Sequence, residues 1–290
     1  MIRLDLALEL AYTIAEPGCD FIFNIHAALT ERQRVVDEAL SLSQDLRWRI
    51  DTEAASANRY LRLQARAGTL HVNYRATVEL AHFKAAPQDI AEVPVDRLPA
   101  SVLGYIYPSR HCQSDRLHRL ARREFGHLHP GYARVQAVCD WVRQRTSFQQ
   151  NTSDANTSAI DTLLDPAGVC RDFAHLMIAL CRALNVPARF TTGIDYGADP
   201  ALGPTNFHAY VEAFLGGRWY LFDPSGTAIP MGFVRFGTGR DAADVAFATI
   251  FGPVTSDAPR IEIRAAPDAD GRLNLPVHCA EVLSTDDTSA

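Results

Sequence analysis

Three side chains of this 290-residue chain, Cys170, His208 and Asp223, are of the types and in the order that thiol chemistry uses. A cysteine attacks a carbonyl as its thiolate, a histidine takes and returns the proton, and a carboxylate fixes the histidine tautomer. Cys170 follows Pro166 and Gly168, which break the chain. It opens a stretch, Gly168 to Asn185, that reads as one helix with Phe173, Leu176, Met177, Leu180 and Leu184 on an apolar stripe. The unpaired N–H groups at a helix N-terminus favour an ionised thiol and can hold the oxyanion formed when a thiolate attacks a carbonyl. Cys181, deep in the same helix, has neither advantage. Taken alone, Cys170 also fits a buried structural cysteine, the commoner fate of that residue.

His208 and Asp223 lie on two β-prone segments, Asn206 to Leu215 and Arg218 to Asp223, joined by Gly216-Gly217. That pair is a strong two-residue hairpin signal. With Leu215 opposite Arg218, Tyr210 faces Asp223 and His208 becomes its diagonal neighbour on the same face. A slip of one residue would put the two side chains on opposite faces. Alone, His208 reads as a hydrogen-bonded structural histidine, and Asp223-Pro224-Ser225-Gly226 as a capped turn. The combination carries the thiol reading.

The elements that must position these groups divide the chain. The first hundred residues are β-rich, with Leu4, Leu6, Leu8 and Leu10 alternating. A hairpin is expected from Tyr60–Gln64 through Ala67-Gly68-Thr69 into Leu70–Val78. Several short strands without helices between them suggest a small β-sandwich. The proline-dotted stretch from Pro87 to Pro99 is a candidate boundary. Helices are expected over Leu117–Phe125 and Tyr132–Phe148, and a short one from Ser158 after a polar loop, Gln149 to Thr157. The expected organisation is a β-rich domain over 1–108, a catalytic core over 109–275, and a tail over 276–290 whose last residues, Ser284 to Ala290, are frayed.

Four segments together resemble the transglutaminase-like core: Gly168-Val169-Cys170-Arg171-Asp172-Phe173-Ala174-His175-Leu176, Val186-Pro187-Ala188-Arg189-Phe190, His208-Ala209-Tyr210-Val211-Glu212 and Trp219 to Pro224. The spacings agree, at 38 residues from Cys170 to His208 and 15 from His208 to Asp223. The similarity is to the bacterial branch, often described as predicted cysteine peptidases. The β-rich first hundred residues, Tyr107-Pro108-Ser109-Arg110 and Gly239 to Val245 resemble segments attached to that core. The resemblance implies an α+β fold, a papain-like core preceded by a β-sandwich, with Cys170 as nucleophile, His208 as base and Asp223 orienting it. It also implies an upstream side chain at the oxyanion, for which Gln149, Gln150 and Asn151 are candidates. His175, about 140° around the helix from Cys170, reads as a packing or hydrogen-bonding histidine. Arg240, Asp241 and Asp244 either line the cleft or form surface ion pairs.

Composition bounds the partners. Hydrophobic residues make up 47%, charged residues 21%, and the formal net charge is −6, an acidic globular protein with no bulk attraction for nucleic acid or an anionic membrane. No apolar run approaches the ~20 residues that span a bilayer. Acids at Asp5 and Glu9 interrupt the start where a signal peptide needs an apolar core, so a cytoplasmic location is expected. The six cysteines form no Cys-x-x-Cys pair, and no calcium-loop or cofactor motif occurs, so neither metal nor cofactor is expected. The expected activity is attack on an amide, peptide or isopeptide bond of a peptide or protein substrate through a thioester. Transamidation, ester chemistry, or a non-catalytic peptide-binding module of the same fold are the alternatives. The oligomeric state is not legible.

Overall fold

A computed structural model of the chain describes residues 1–197, 201 and 205–286. The alternating leucines of the N-terminus form β1 (Ile2–Ile14), every second side chain of which is buried. After it come β2 (Cys19–Phe23), β3 (Gln33–Leu42), β4 (Trp48–Thr52), β5 (Arg59–Ala65), β6 (Gly68–Leu80) and β7 (Phe83–Ala85). β1 and β3 flank β6 in one sheet, while β2 and β4 flank β5 in a second. Leu4, Leu8, Leu70 and Val72 of the first sheet share one core with Phe21, Phe23, Leu61 and Leu63 of the second. That is the two-layer arrangement that period-two patterning demands.

The expected hairpin of β5 with β6 does not form, although both strands do. β5 bonds to β2 and β4, and β6 to β1 and β3, so the chain crosses from one sheet to the other at Arg66-Ala67. Alternation specifies which face is buried but not which edge is paired, and crossing over lets the two leucine-rich faces meet through the interior. Gly68, with φ 116°, lies in the region that favours glycine at that crossing.

The helical layer comprises α1 (His118–Phe125), α2 (Tyr132–Arg145), α3 (Ala159–Leu164) and α4 (Cys170–Ala183). α2 stops at Arg145, short of the expected Phe148, because Ser147–Phe148 is a strand, β8, pairing in parallel with β9 (Ala167–Gly168). Gly168 thus belongs to a strand and α4 begins at Cys170. Asn185, with φ 63°, ends α4 as asparagine does in a left-handed cap.

α4 packs on a four-stranded antiparallel sheet ordered β12 (Arg218–Phe222), β11 (His208–Leu215), β10 (Ala188–Asp195), β13 (Phe233–Gly239). Leu176, Met177 and Leu180 of α4 share a core with Val211, Ala213 and Phe190. Tyr210, Phe233 and Val234 of this sheet join the core of the sandwich. Residues 248–266, expected in the core segment, return to the sandwich. β14 (Ala248–Phe251) pairs with β2, while β15 (Val254–Ser256) and β16 (Arg260–Ala266) pair with β1.

The C-terminal segment is tied down where fraying was expected. β17 (Val282–Ser284) pairs with β7, Thr285 is buried, and Asp286 bridges to Trp219 and meets Arg189 and Arg235. The last expected frayed residues, 287–290, lie outside the described residues. Among the described residues no helix is long and apolar enough to cross a membrane.

Candidate active site

Cys170 is the first residue of α4 and is half-buried, whereas Cys181 in the same helix is fully buried. Burial pushes the Cys181 thiol up to about 12, as expected of an inert core cysteine. The head of α4 is built by its neighbours. Asp172, wholly buried at the third helical position, accepts the Val169 N–H at 2.9 Å and the Ser153 hydroxyl at 2.5 Å. Arg171 donates to both Asp172 and Ser153. The carboxylate therefore caps the helix and pins the polar loop beside it.

The parallel pairing of Phe148 with Gly168, continued by the Gln149 N–H donating to the Gly168 carbonyl at 2.8 Å, runs this loop alongside the approach to Cys170. Extending the register brings Gln150 to the level of Cys170. All three expected oxyanion candidates, Gln149, Gln150 and Asn151, are exposed.

β11 and β12 pair with Leu215 opposite Arg218 and Val211 opposite Phe222, the register expected from the Gly-Gly turn. One step beyond, His208 Nε2 lies 3.5 Å from Asp223 Oδ1. That is the outer limit of a hydrogen bond, so the attraction is chiefly that of an ion pair. Asp223 is held from several sides. Its Oδ1 accepts the Ser225 N–H at 3.0 Å and the Ser225 hydroxyl at 2.6 Å. Its Oδ2 accepts the Ala228 N–H at 3.2 Å, and its carbonyl accepts from Arg143 at 2.6 Å.

Burial opposes charge on His208, but its contacts with Asp223 and with Cys170 outweigh that and hold the imidazole well above its usual range. Burial likewise raises Asp223, and the His208 contact, the Ser225 hydroxyl and the Ala228 N–H more than offset it, leaving the carboxyl below its usual value. With Nε2 turned to Asp223, Nδ1 is the ring nitrogen left for Cys170. Phe233 stacks on the imidazole with centroids 5.2 Å apart. The three residues read from the sequence are thus brought together, with His208 between the other two.

His175 is elsewhere. Its Nε2 accepts the Ala242 N–H at 3.2 Å and its ring stacks on His111 at 5.0 Å, the hydrogen-bonding and packing roles expected of it. Arg240 and Asp244 form an exposed ion pair at 2.9 Å. Asp241 departs from both expectations, because it is 2% exposed and accepts the backbone N–H groups of His111 and Ala243. The sequence reading missed Ser153 and Asp172, although an aspartate at the third helical position was a legible capping signal. It also missed Asp195, which the pairing of β10 with β11 brings beside His208, and Phe233, which the pairing of β13 with β10 adds. Among the described residues no group of three or more metal-ligating side chains occurs.

Comparison with known proteins supplies the family. Residues 119–224 match the model of the transglutaminase-like superfamily, and residues 2–101 match that of the bacterial transglutaminase N-terminal domain. A solved structure from Cytophaga hutchinsonii, titled a "Putative Cysteine Protease", is 35% identical, with a TM-score of 0.89 over 98% of this chain and 97% of its own. An uncharacterised protein of Mycobacterium leprae, ML0607, is 33% identical over 117 residues, 39% of this chain and 42% of that protein. Rv2569c of Mycobacterium tuberculosis, also uncharacterised, is 30% identical over 110 residues, 34% of this chain and 35% of its own. The matches therefore span less than half the length of these curated relatives. The match to the Cytophaga hutchinsonii structure therefore spans both the N-terminal sandwich and the core that holds Cys170. The chain belongs to the transglutaminase-like superfamily, in the form that carries the bacterial transglutaminase N-terminal domain.

Proposed function

We propose that the chain is a thiol hydrolase of amide bonds, acting on a peptide, isopeptide or protein substrate through a Cys170–His208–Asp223 triad. The supporting observation is the position of His208, raised in basicity by contact with Cys170 on one side and Asp223 on the other. The Cys170 sulfur attacks the substrate carbonyl, forming an S–C bond and an oxyanion that the N–H groups at the head of α4 face. Collapse of this intermediate breaks the C–N bond, and the His208 imidazolium gives its proton to the departing amine. Neutral His208 then takes a proton from water, whose oxygen attacks the thioester carbonyl, and collapse breaks the C–S bond to release the acid and return the Cys170 thiolate. The proton returns to the Cys170–His208 pair. In this reading Gln150 supplies the side-chain donor to the oxyanion. The six free cysteines suit a reducing compartment.

Iodoacetamide at neutral pH, with the modified residues located by mass spectrometry, tests the assignment. Cys170 is expected to react at least tenfold faster than half-buried Cys279 and far faster than Cys181. Equal slow reaction of Cys170 and Cys181 would sink it. Parallel assays with peptide, ester and amine substrates separate hydrolysis from esterase action and transamidation. Full biological function of Cys170→Ala would instead favour a binding module.

A further inference from the structure

His208 has a second carboxyl beside it. β10 pairs with β11 so that Gly193 faces His208. Asp195, two residues along β10, is then the diagonal neighbour of His208 on the same face. Asp223 is its diagonal neighbour on the β12 flank. The imidazole therefore stands between one acid from each side.

Asp195 differs from Asp223 in its surroundings. It is 3% exposed, and its Oδ2 is buried without a hydrogen-bond partner among the described residues. Native folds rarely leave such an oxygen without a reason. Gly193 lets β13 pack closely on β10 here, since a Cβ would come 2.0 Å from the Val234 carbonyl oxygen, at the point where the β10–β13 register shifts. Phe233, paired with Asp195, lays its ring on His208, and both Asp195 and His208 are buried. Burial raises the Asp195 carboxyl and the charge on Asp223 adds to that, while His208 draws it down, so the three groups feel one another.

Cys170 from α4 and Asp223 after β12 are the ionisable groups in contact with the ring, and Asp195 from β10 acts on it through charge. On β11 itself, Tyr210 is a buried phenol held uncharged. From β13, Arg235 is turned to Glu212 and Asp286.

We propose that Asp195 is a positioning residue for the thiol chemistry, a second carboxyl that stabilises the His208 imidazolium from the β10 side. The Cys170–His208 ion pair then persists to higher pH than Asp223 alone allows. The inference rests on the triad reading.

The test follows the His208 ring by nitrogen NMR through a pH titration of the full chain, its signal assigned with His208→Gln. Asp195→Asn is expected to lower the His208 midpoint by about one pH unit, a tenfold change in proton affinity. A midpoint moved by less than about 0.2 units would overturn the proposal, since the uncertainty of such a titration is far below the one-unit effect. Should Asp195→Asn not fold, the carboxyl carbons of the native protein give the answer. The Asp195 signal must step at the His208 midpoint, as coupled groups do, and a single independent step would overturn it. Slow alkylation of Cys170 in the native protein would defeat the triad reading and leave the His208–Asp195 coupling measurable, so the two failures are distinct.

Discussion

Gly168 and Asp172 lie so close that a methyl group on Gly168 would come 2.6 Å from Asp172 Oδ2. That oxygen caps α4 and holds Ser153, so the glycine two residues before the nucleophile is there to admit the carboxylate. Gly168→Ala should displace it, with the loss of a helix cap costing roughly 1–2 kcal/mol. Urea unfolding measures that loss. Cys170 alkylation should slow as well, by about tenfold for a helix head moved out of line. A variant of native stability and native thiol reactivity would show that the carboxylate does not organise the site.

The pH dependence of the site follows from the opposite shifts of its two partners. His208 is raised in the fold, so its contribution is full below its ordinary value and is lost as pH rises through the folded value. Asp223 is lowered, so its contribution is present above the ordinary carboxylate range and is lost as pH falls through its folded value. The pair is therefore complete between these limits. Asp223→Asn removes the anion while keeping the shape, and should lower the His208 midpoint by about 1–3 units. A ring titration in the variant checks this, and an unmoved midpoint would remove Asp223 from the triad.

Much of this site could be read from local signals. The helix head at Cys170 follows from Pro166, Gly168 and the apolar stripe, and the His208–Asp223 diagonal from a two-residue glycine turn that fixes register. What could not be read depends on which strands become neighbours. β5 and β6 each announce a buried face by alternation, yet nothing local says that they enter different sheets. Asp195 and Phe233 sit 13 and 25 residues from His208, and only the order β11-β10-β13 makes them its neighbours. The C-terminal residues look like a polar tail because the two buried arginines that bind Asp286 belong to β10 and β13.

Those arginines make Asp286 a stability determinant. Arg189 and Arg235 are each about 6% exposed and share two acids, Glu212 and Asp286, with Arg189 also over the Trp219 ring at 4.2 Å. Asp286→Ala leaves two buried cations with one carboxylate. Removing one partner of such a buried pair costs on the order of 3 kcal/mol. The unfolding temperature should fall by roughly 5 °C for a chain of this size. A loss below about 1 °C, within the range of ordinary surface substitutions, would return the tail to the frayed state read from the sequence.

The His111–His175 stack predicts how the protein responds to acid. Burial, and then the neighbouring His111, lower His175 to about 3, so its imidazole is neutral in the fold. Its Nε2 must stay unprotonated to accept the Ala242 N–H, and that bond joins α4 to the segment after β13. In the unfolded chain the same ring takes a proton near 6.5. The unfolded state therefore binds more protons at every pH between these values, and stability falls as pH falls through that window. From pH 6.5 to 5 this residue accounts for at most about 2 kcal/mol. His175→Gln keeps an acceptor for Ala242 but cannot titrate. Its unfolding free energy, measured in urea at pH 7 and pH 5, should change less between the two than that of the native protein. Equal slopes would mean that His175 is already solvated in the fold.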